Sequence, residues 1–298
     1  MTILLLGGHG QVGHALRATL PPLGPLVVTT RHGGDGDLGC DLTDRQSVAA
    51  LLDEVSPTLI VNAAAYTAVD KAESEPAAAA ALNSALPGQL GAWAAVAGAR
   101  VVHYSTDYVF DGESTRPYRE DDLTGPASVY GQTKLDGERA LAASGASHIT
   151  LRTAWVYAAD GHNFMRTMMR LAHERDTLSV VDDQWGTPTS APWIAMATAA
   201  ILAQVPREAP GGTFHLTAAG ETTWRGFAEA IFSGAVARGL LERAPRVQSI
   251  TTAEYPTPAK RPARSVLDGS RLEASYGLIR PDWTTLLGDV LDTMTLPN

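Results

Sequence analysis

The chain has 298 residues, of which 45% are hydrophobic and 18% charged, so it can bury a large core and is not expected to be disordered. Its net charge of -9 disfavours nucleic acid as a partner, and its single cysteine, Cys40, excludes an internal disulfide and a cysteine-based zinc site. The N-terminal apolar run is too short for a signal peptide and no run is long enough to span a membrane, so we expect a cytoplasmic protein with no membrane partner.

Short apolar runs alternate with segments of helical periodicity through the first half of the chain. The runs cover residues 3–6, 26–28, 59–61, 101–104 and 148–151, and a helix is predicted from about residue 130 to 143. Runs that are apolar on both faces and alternate with helices predict a parallel sheet covered on both sides. We therefore predict a Rossmann-type, doubly wound α/β fold that binds ligands beyond the carboxyl ends of its strands.

The regular alternation ends near residue 157, after which prolines become frequent. This change predicts a dinucleotide-binding domain over residues 1–157. It predicts mainly a smaller C-terminal substrate-binding lobe over residues 158–298, with a segment near 177–206 returning to the Rossmann sheet.

The segment GGHGQVG, residues 7–13, lies between the first apolar run and the first helical segment. It matches the spacing GxxGxxG through Gly7, Gly10 and Gly13. Glycine permits positive φ angles and lets the backbone approach a pyrophosphate at a helix N-terminus. The position of the motif therefore predicts a dinucleotide site, and the alternative is a plain tight turn.

The second strand is expected to end near Thr30 and Arg31, where no acid is available for the ribose 2′-hydroxyl of the cofactor. Arg31 could meet a 2′-phosphate instead, or it could be an ordinary exposed arginine. We expect NADPH or NADH as cofactor, with NADPH slightly favoured. Asp41 and Leu42 suit the loop that holds adenine, and the alternative role for Asp41 is to cap the helix that follows.

Tyr130 and Lys134 form the pattern YxxxK, which places both side chains on one face of a helix. Thr106 ends an earlier strand and supplies a hydroxyl. Reduction of a ketone by hydride leaves an alkoxide that needs a proton, and a neighbouring ammonium is expected to lower the pKa of Tyr130 so that it can donate one. Lys134 would also bond the nicotinamide ribose, and Thr106 would align the substrate oxygen. Taken alone, Tyr130 could be a half-buried core tyrosine.

Nearly the whole chain resembles the dTDP-4-dehydrorhamnose reductase family of extended short-chain dehydrogenases. The resemblance rests on GGHGQVG (7–13), VNAAAYTAVDKAE (61–73), HYSTDYVFDG (103–112), VYGQTK (129–134), LRTAWVY (151–157), DDQWGTPT (182–189) and RPARSVLD (261–268). It implies reduction of the 4-keto group of dTDP-6-deoxy-L-lyxo-4-hexulose by NAD(P)H to give dTDP-L-rhamnose. The implied partner is thus a small nucleotide sugar.

The motifs and the resemblance together give two sets of site residues. The residues expected to line the cofactor are Gly7, Gly10, Gln11, Val12, Gly13, Arg31, Asp41, Leu42, Ala63, Ala65, Tyr66, Thr67, Tyr104, Tyr130 and Lys134. The residues expected at the substrate are Thr106, Asp107, Tyr108, Tyr130, Trp155, Asn163, Gln184 and Arg261. Arg261 could pair with the diphosphate or form a surface salt bridge, and Trp155 could lie against the sugar ring or fill the core.

The chain departs from the family at Ala15, where some members carry a glutamate linked to a metal-bridged dimer. Because Ala15 lacks that carboxylate, we expect a monomer or weak homodimer. The eight histidines form no metal-binding motif, so we expect no metal. Two alternative functions are retained. One is another extended short-chain nucleotide-sugar enzyme, such as an epimerase or a related 4-ketoreductase. The other is a non-catalytic regulatory subunit of the methionine adenosyltransferase type.

Overall fold

The computed structural model describes residues 1–204 and 211–294. Its strands are β1 (Ile3–Leu6), β2 (Leu26–Thr30), β3 (Leu38–Gly39), β4 (Leu59–Asn62), β5 (Arg100–Thr106), β6 (Ser147–Thr153), β7 (Val156–Tyr157), β8 (Thr177–Val181), β9 (Trp185–Gly186), β10 (Thr189–Ser190), β11 (Gly212–His215), β12 (Thr222–Thr223) and β13 (Arg246–Ile250). Its α-helices are α1 (Gln11–Thr19), α2 (Arg45–Val55), α3 (Val69–Ala72), α4 (Pro76–Ala80), α5 (Leu86–Ala97), α6 (Val129–Ala143), α7 (Phe164–Glu174), α8 (Ala191–Gln204), α9 (Trp224–Ala237), α10 (Ser270–Tyr276) and α11 (Trp283–Asp292). A π-helical turn, Ala81–Ala85, joins α4 to α5.

A seven-stranded sheet with the order β11-β6-β5-β4-β1-β2-β3 forms the centre of the molecule. Every neighbouring pair in it is parallel; Leu4, for example, pairs with Val27 on one side and Ile60 on the other. The order reverses at β1, between β2 and β4. The predicted parallel α/β fold is confirmed, and the reversal places a binding crevice at the carboxyl ends of these strands.

Buried side chains cover both faces of the sheet, which explains why β1 and β4 are apolar throughout. On one face, Leu5 and Val61 pack with residues of α1 and α8. On the other, Leu4 and Ile60 pack with residues of α2 and α5. The two cores hold the strands rigidly, so the side chains at the ends of the strands have a fixed base.

A separate apolar cluster lies in the second half of the chain, where α7, α9 and α11 pack with β8. Strand β8 pairs in parallel with β13, while the nearby helix α8 packs against α1 on the large sheet. The segment predicted near 177–206 is thus divided between two parts of the molecule, and residues 205 and 206 lie outside the described residues. The predicted division at residue 157 stays a prediction.

None of the helices in residues 1–204 and 211–294 is both long enough and apolar enough to cross a membrane.

Candidate active site

Polar and glycine residues gather where β1, β4 and β5 end. Gly7 follows β1, Ala63 follows β4, and Thr106 is the last residue of β5. These strands are neighbours in the sheet, so the residues that leave them share one edge. Helix α6 carries Tyr130 along the same edge and packs against the short helical turn that begins at Asp107.

The loop between β1 and α1 needs glycine at two of its positions. Gly7 has a φ of +80°, and a Cβ there would lie 2.7 Å from the Ala64 backbone nitrogen. A Cβ on Gly13 would lie 2.1 Å from the Gly7 carbonyl oxygen, so this glycine lets α1 start directly on the turn. At Gly10 the nearest atom to an added Cβ is 3.4 Å away, so space remains above the start of the helix.

The first turn of α1 presents unpaired N–H groups to that space. Among the described residues, no side chain caps α1, whose N-cap residue is Gly10. The N–H groups and the dipole of an uncapped helix N-terminus favour a bound anion such as a pyrophosphate. The open space at Gly10 and the uncapped helix fit a dinucleotide, with Gln11 and Val12 supplying the nearest backbone groups.

An acidic residue reaches the glycine loop from the loop between β2 and β3. Asp37 is bonded to Arg17 at 2.9 Å, and Arg17 also donates to the carbonyl oxygen of Gly8 at 2.9 Å. His9 lies 3.8 Å from the Asp37 carboxylate. An acid for the cofactor ribose was expected only at the end of β2, where Arg31 is exposed, and Asp37 was therefore not predicted. Hydrogen bonding to Arg17 lowers the pKa of Asp37, which keeps it ionised.

Asp41 and Leu42 lie at the end of the β3 region, beside a cavity of about 620 Å³ lined by Arg31, Cys40 and Asp41 among others. The Asp41 carboxylate accepts hydrogen bonds from the backbone and hydroxyl of Thr43. Asp44 caps α2 instead, through the backbone N–H groups of Gln46 and Ser47. The alternative role considered for Asp41, as the helix cap, is therefore wrong.

The segment after β4 is fixed by a buried asparagine. Asn83, in the π-helical turn, accepts a hydrogen bond from the Tyr66 N–H at 2.8 Å and donates to the Tyr66 carbonyl at 3.1 Å. It also donates to Thr133 on α6 at 3.2 Å. Asn83 thus connects the segment that contains Ala65, Tyr66 and Thr67 to helix α6. Sequence reasoning missed it because nothing in an alanine-rich stretch marks its partners.

Helix α6 is held close to the end of β5. Ser128 caps it by accepting from the Gly131 N–H at 3.1 Å. A Cβ on Gly131 would lie 2.2 Å from the Tyr108 carbonyl oxygen, so glycine is needed for this approach. The rings of Tyr108 and Tyr130 meet edge to face with centroids 5.5 Å apart. The Tyr130 phenol is therefore placed beside Thr106 and Asp107.

The pKa of Tyr130 differs from the expectation. Burial raises it above its usual value, and a hydrogen bond with Thr106 is the main opposing effect. The prediction that Lys134 lowers this pKa is wrong for the structure as it stands. The reason is that the Lys134 amine donates to the Tyr104 carbonyl at 2.5 Å and lies 3.3 Å from Nε2 of His103. Burial lowers the pKa of Lys134 to about 8.

Tyr104 contributes its backbone rather than its side chain. Its hydroxyl is bonded to Thr198 at 2.7 Å on the side of the α1–α8 core. Only its carbonyl meets Lys134. The Tyr104 phenol is buried beside Thr198, and its predicted contact with the cofactor stays a prediction.

Asp107 is a buried carboxylic acid next to the phenol. It is 2% exposed, and its Oδ1 accepts from the Thr106 hydroxyl at 2.9 Å. Its Oδ2 has no hydrogen-bond partner among the described residues. Burial raises the pKa of Asp107 to about 6. An unpaired buried oxygen beside Thr106 and Tyr130 suits a hydroxyl group of a bound sugar.

Arg261 is already paired. It donates to Asp70 at 2.7 Å and to the Tyr108 hydroxyl at 3.2 Å. The predicted diphosphate contact would therefore compete with Asp70. The salt-bridge alternative describes the contact that the structure contains.

Trp155 lies flat against a second tryptophan. Its ring stacks on Trp224 at a centroid distance of 3.5 Å and an angle of 4°, so one of its faces is covered. Gly186 allows this position, because a Cβ there would lie 2.3 Å from the Trp155 ring. Gln184 accepts from the Trp224 indole at 3.1 Å and donates to Thr252 at 3.0 Å, so its amide supports the stack.

Asn163 connects the two halves of the site. It caps α7 and donates to Gln11 at 2.8 Å, and it also contacts the carbonyls of Ala158 and Asp160. Its NH₂ group is fully engaged by these bonds. Donation from that group to a nucleotide sugar would need one of them to be exchanged.

Within residues 1–204 and 211–294, no group of three or more His, Cys, Asp or Glu side chains is arranged to hold a metal ion. Asp182 and Asp183 bond to Thr223, Arg225, Ser249 and Thr252 and so anchor the surrounding loops.

Comparison with known proteins gives consistent results over almost the full length. Residues 1–296 match the family model described as the RmlD substrate binding domain. A protein of Burkholderia thailandensis named dTDP-4-dehydrorhamnose reductase is 45% identical over 295 residues, which is 97% of each chain. A structure of a dTDP-4-dehydrorhamnose reductase from Clostridium acetobutylicum is 38% identical, with a TM-score of 0.87 over 98% of this chain and 99% of the other.

A further solved structure, the enzyme of that name from Bacillus anthracis, was determined in complex with NADP. It is 29% identical and superimposes with a TM-score of 0.88 over 98% of this chain and 99% of the other. The similarity therefore includes both halves of the molecule and not only the dinucleotide fold.

Proposed function

This chain belongs to the dTDP-4-dehydrorhamnose reductase family, and from that premise we propose that it reduces the 4-keto group of dTDP-6-deoxy-L-lyxo-4-hexulose to give dTDP-L-rhamnose. One arrangement carries the proposal. Tyr130, Thr106 and Asp107 stand together at the edge where the uncapped helix α1 begins, so a hydride donor and a sugar can be held side by side.

NADPH or NADH, when bound, supplies the hydride. Residues Gly10, Gln11 and Val12 would hold its pyrophosphate at the start of α1, and the loop of Asp41 and Leu42 its adenine. Lys134 would bond the nicotinamide ribose. Arg31 and Asp37 stand at the end where NADPH and NADH differ, and NADPH is slightly favoured because Arg31 is exposed and free to turn towards a 2′-phosphate.

Tyr130 is the proton donor in this scheme. Hydride adds to C4 of the sugar, and the electron pair of the C=O bond moves to O4, which then takes the phenolic proton of Tyr130. Thr106 orients O4 toward the phenol. A tyrosine whose pKa is raised keeps its proton until the alkoxide forms, so Tyr130 remains the acid at neutral pH.

The sugar would lie between Tyr130 and the C-terminal half of the chain. Asp107 has an unpaired oxygen for a sugar hydroxyl, and the half-buried Trp155 follows β6, the strand next to β5. Arg261 can exchange Asp70 for the diphosphate. A cytoplasmic location and a monomeric or weakly dimeric state complete the proposal.

The test is an NAD(P)H oxidation assay with dTDP-4-keto-6-deoxy sugars of both epimeric series. We expect turnover of the L-lyxo compound with either cofactor and a higher kcat/KM for NADPH. Turnover of only the epimeric sugar would assign a related 4-ketoreductase. Interconversion of sugars with tightly held NAD and no net oxidation would indicate an epimerase, and cofactor binding without any turnover would indicate a regulatory subunit.

A further inference from the structure

Three buried polar residues form a row beneath the catalytic helix. Asn62 and His103 are 0% exposed and Lys134 is 2% exposed. Asn62, the last residue of β4, is the register partner of His103 in the middle of β5, so their side chains lie next to each other on one face of the sheet. Lys134 reaches this face from α6. Buried groups of this kind must satisfy one another, which makes their hydrogen-bonding roles deducible.

The orientation of the Asn62 amide is set by a backbone donor. The Ala64 N–H donates to Asn62 Oδ1 at 3.2 Å, so the oxygen must face Ala64. The Asn62 NH₂ group therefore faces His103, with Nδ2 at 3.1 Å from Nδ1 of the imidazole. An amide NH₂ can only donate, so Nδ1 of His103 must offer its lone pair.

This contact fixes the tautomer of His103. Burial lowers the pKa of His103 well below its ordinary value, so the ring is neutral and carries one proton. Because Nδ1 accepts from Asn62, the proton is on Nε2. The Nε2–H group then points at Nζ of Lys134, which is 3.3 Å away.

The amine of Lys134 has to match two neighbours of opposite kind. It donates to the Tyr104 carbonyl at 2.5 Å, and on its other side it meets the His103 donor. An ammonium has three N–H groups and no lone pair, so it would place N–H against N–H. A neutral amine has two N–H groups and one lone pair, and it satisfies both neighbours.

Other ionisable groups near this row do not account for that pattern. His148 lies on the neighbouring strand and adds only a minor electrostatic effect on His103. Glu138, one turn along α6, favours a charged Lys134, yet its carboxylate is bonded to Arg152 at 2.7 and 2.9 Å. Tyr130 lies one turn in the other direction. Burial already lowers the pKa of Lys134 to about 8, so the contribution of His103 rests on the hydrogen-bond geometry alone.

We propose that His103 is a positioning residue for Lys134: held by Asn62 as its Nε2–H tautomer, it donates to Nζ and favours the neutral amine over the ammonium. Lys134 therefore gains and loses its proton close to physiological pH, alongside Tyr130, instead of remaining a fixed positive charge. This inference rests on the proposed function only for its role in turnover, since the protonation of Lys134 is a property of the protein itself.

The chain is well suited to a direct test because it contains only three lysines, Lys71, Lys134 and Lys260. We would titrate the intact protein labelled with ¹³C at the lysine ε-carbons and follow each signal by NMR. Lys71→Arg and Lys260→Arg assign the other two signals. We expect Lys134 to titrate near pH 8 and well below Lys71, whose pKa is raised by its hydrogen bond to Glu75.

The variant His103→Gln replaces the ring donor with a side chain whose carbonyl can accept from Nζ. We expect the pKa of Lys134 to rise by about one unit or more, which is at least about a tenfold change in its dissociation constant. The matched control is His148→Gln, which removes the other nearby imidazole and is expected to leave Lys134 within about 0.3 units of the original protein. An unchanged Lys134 pKa in His103→Gln would overturn the proposal, because burial alone would then set it.

A second measurement remains informative even if the variants fail to fold. Labelling with ¹⁵N-histidine reports the tautomer of each ring in the unaltered protein, and we expect His103 to carry its proton on Nε2. In Asn62→Asp, the carboxylate should accept from Nδ1 and move the proton there. A proton on Nδ1 of His103 in the unaltered protein contradicts the proposal. None of these titrations needs turnover, so their failure and a failure to reduce the sugar are separate results.

Discussion

The two sides of the site are held in place by different kinds of contact. On the sheet side, the glycine loop and α6 are placed by backbone contacts: Gly13 lies against the Gly7 carbonyl and Gly131 against that of Tyr108. On the C-terminal side, Trp155 is placed by Trp224 and Arg261 by Asp70, so side chains far apart in sequence position each other. The sheet side is therefore rigid by construction, whereas the C-terminal side depends on pairs that can exchange partners.

This difference divides the work of catalysis. The groups proposed to move a proton or to follow a hydride need fixed distances, and they lie on the rigid side. The groups proposed to recognise a sugar nucleotide would exchange one partner for another on binding, as we propose that Arg261 exchanges Asp70 for a diphosphate. Substitutions on the two sides should consequently affect different kinetic constants.

The largest effect is expected for Tyr130→Phe, which removes the proton donor and keeps the ring against Tyr108. We expect kcat to fall by about two to four orders of magnitude, typical for loss of a general acid, with KM for both ligands nearly unchanged. Steady-state kinetics of NADPH oxidation measure this. Tyr255→Phe, at an exposed position, is the control. If Tyr130→Phe retains most of its kcat, Tyr130 is not the proton donor and the chemistry is not carried out by the rigid side.

Asp107 gives a pH-dependent effect. Its pKa in the folded protein, about 6, is above its usual value, so the folded state binds the proton more tightly than the unfolded state. Stability from this group is present at low pH and is lost as the pH rises from about 4 to 6. The unfolding free energy of Asp107→Asn minus that of the original protein should therefore increase by up to about 3 kcal/mol from pH 4 to pH 7.

Urea denaturation of both proteins at the two pH values measures this difference. The matched control is Asp289→Asn, an exposed position on α11, which should follow the original protein. If Asp107→Asn and the original protein change in parallel with pH, the carboxylate is stabilised by contacts that the structure does not contain.

Two glycines of the same loop separate stability from cofactor affinity. Gly13→Ala forces a methyl group onto the Gly7 carbonyl and should reduce the unfolding free energy by about 1–3 kcal/mol. Gly10→Ala points its methyl group into open space and should leave the fold nearly as stable. We expect NADPH binding to weaken roughly tenfold, because the methyl group would lie in the pyrophosphate site. Thermal unfolding and a fluorescence titration distinguish the two. Equal stability losses would mean that the loop is not built as described.

The smallest effect is expected on the C-terminal side. Arg261→Ala should raise KM for the nucleotide sugar by roughly tenfold, the size of one charge-assisted contact, and leave KM for NADPH nearly unchanged. Arg170→Ala, which breaks an exposed pair with Glu174 on α7, is the control. If Arg261→Ala leaves KM for the nucleotide sugar unchanged, Arg261 serves only its pair with Asp70.

The sequence was sufficient to predict features that depend on nearby residues. The parallel sheet and the helix carrying Tyr130 follow from apolar periodicity, and the glycine loop from its position between a strand and a helix. The contact of Lys134 with His103 and the Tyr104 carbonyl was not predicted, although all three residues lie in recognised motifs. Motif spacing indicates which residues share a helix face, but which neighbour a flexible amine meets depends on how the helix packs on the sheet.

The C-terminal side was the least predictable for the same reason. Trp155 and Trp224 are 69 residues apart and Asp70 and Arg261 are 191 apart, and no local pattern links either pair. Asp37 was missed because it comes from a loop, whereas the rule for ribose recognition looks at the end of the strand. The expected direction of the Tyr130 pKa was wrong because burial raises this pKa, while the Lys134 amine contacts Tyr104 and His103 instead of the phenol.

The hydrogen bond between Gln11 and Asn163 has a consequence for the energetics of binding. One partner is in the first turn of α1, beneath the expected cofactor, and the other begins α7 in the second half of the chain. We expect a shift of either helix to strain this bond, which directly joins the two halves of the site. Thermodynamic reciprocity applies to the two ligands. If bound dinucleotide changes the affinity for the sugar by some factor, bound sugar must change the affinity for the dinucleotide by the same factor.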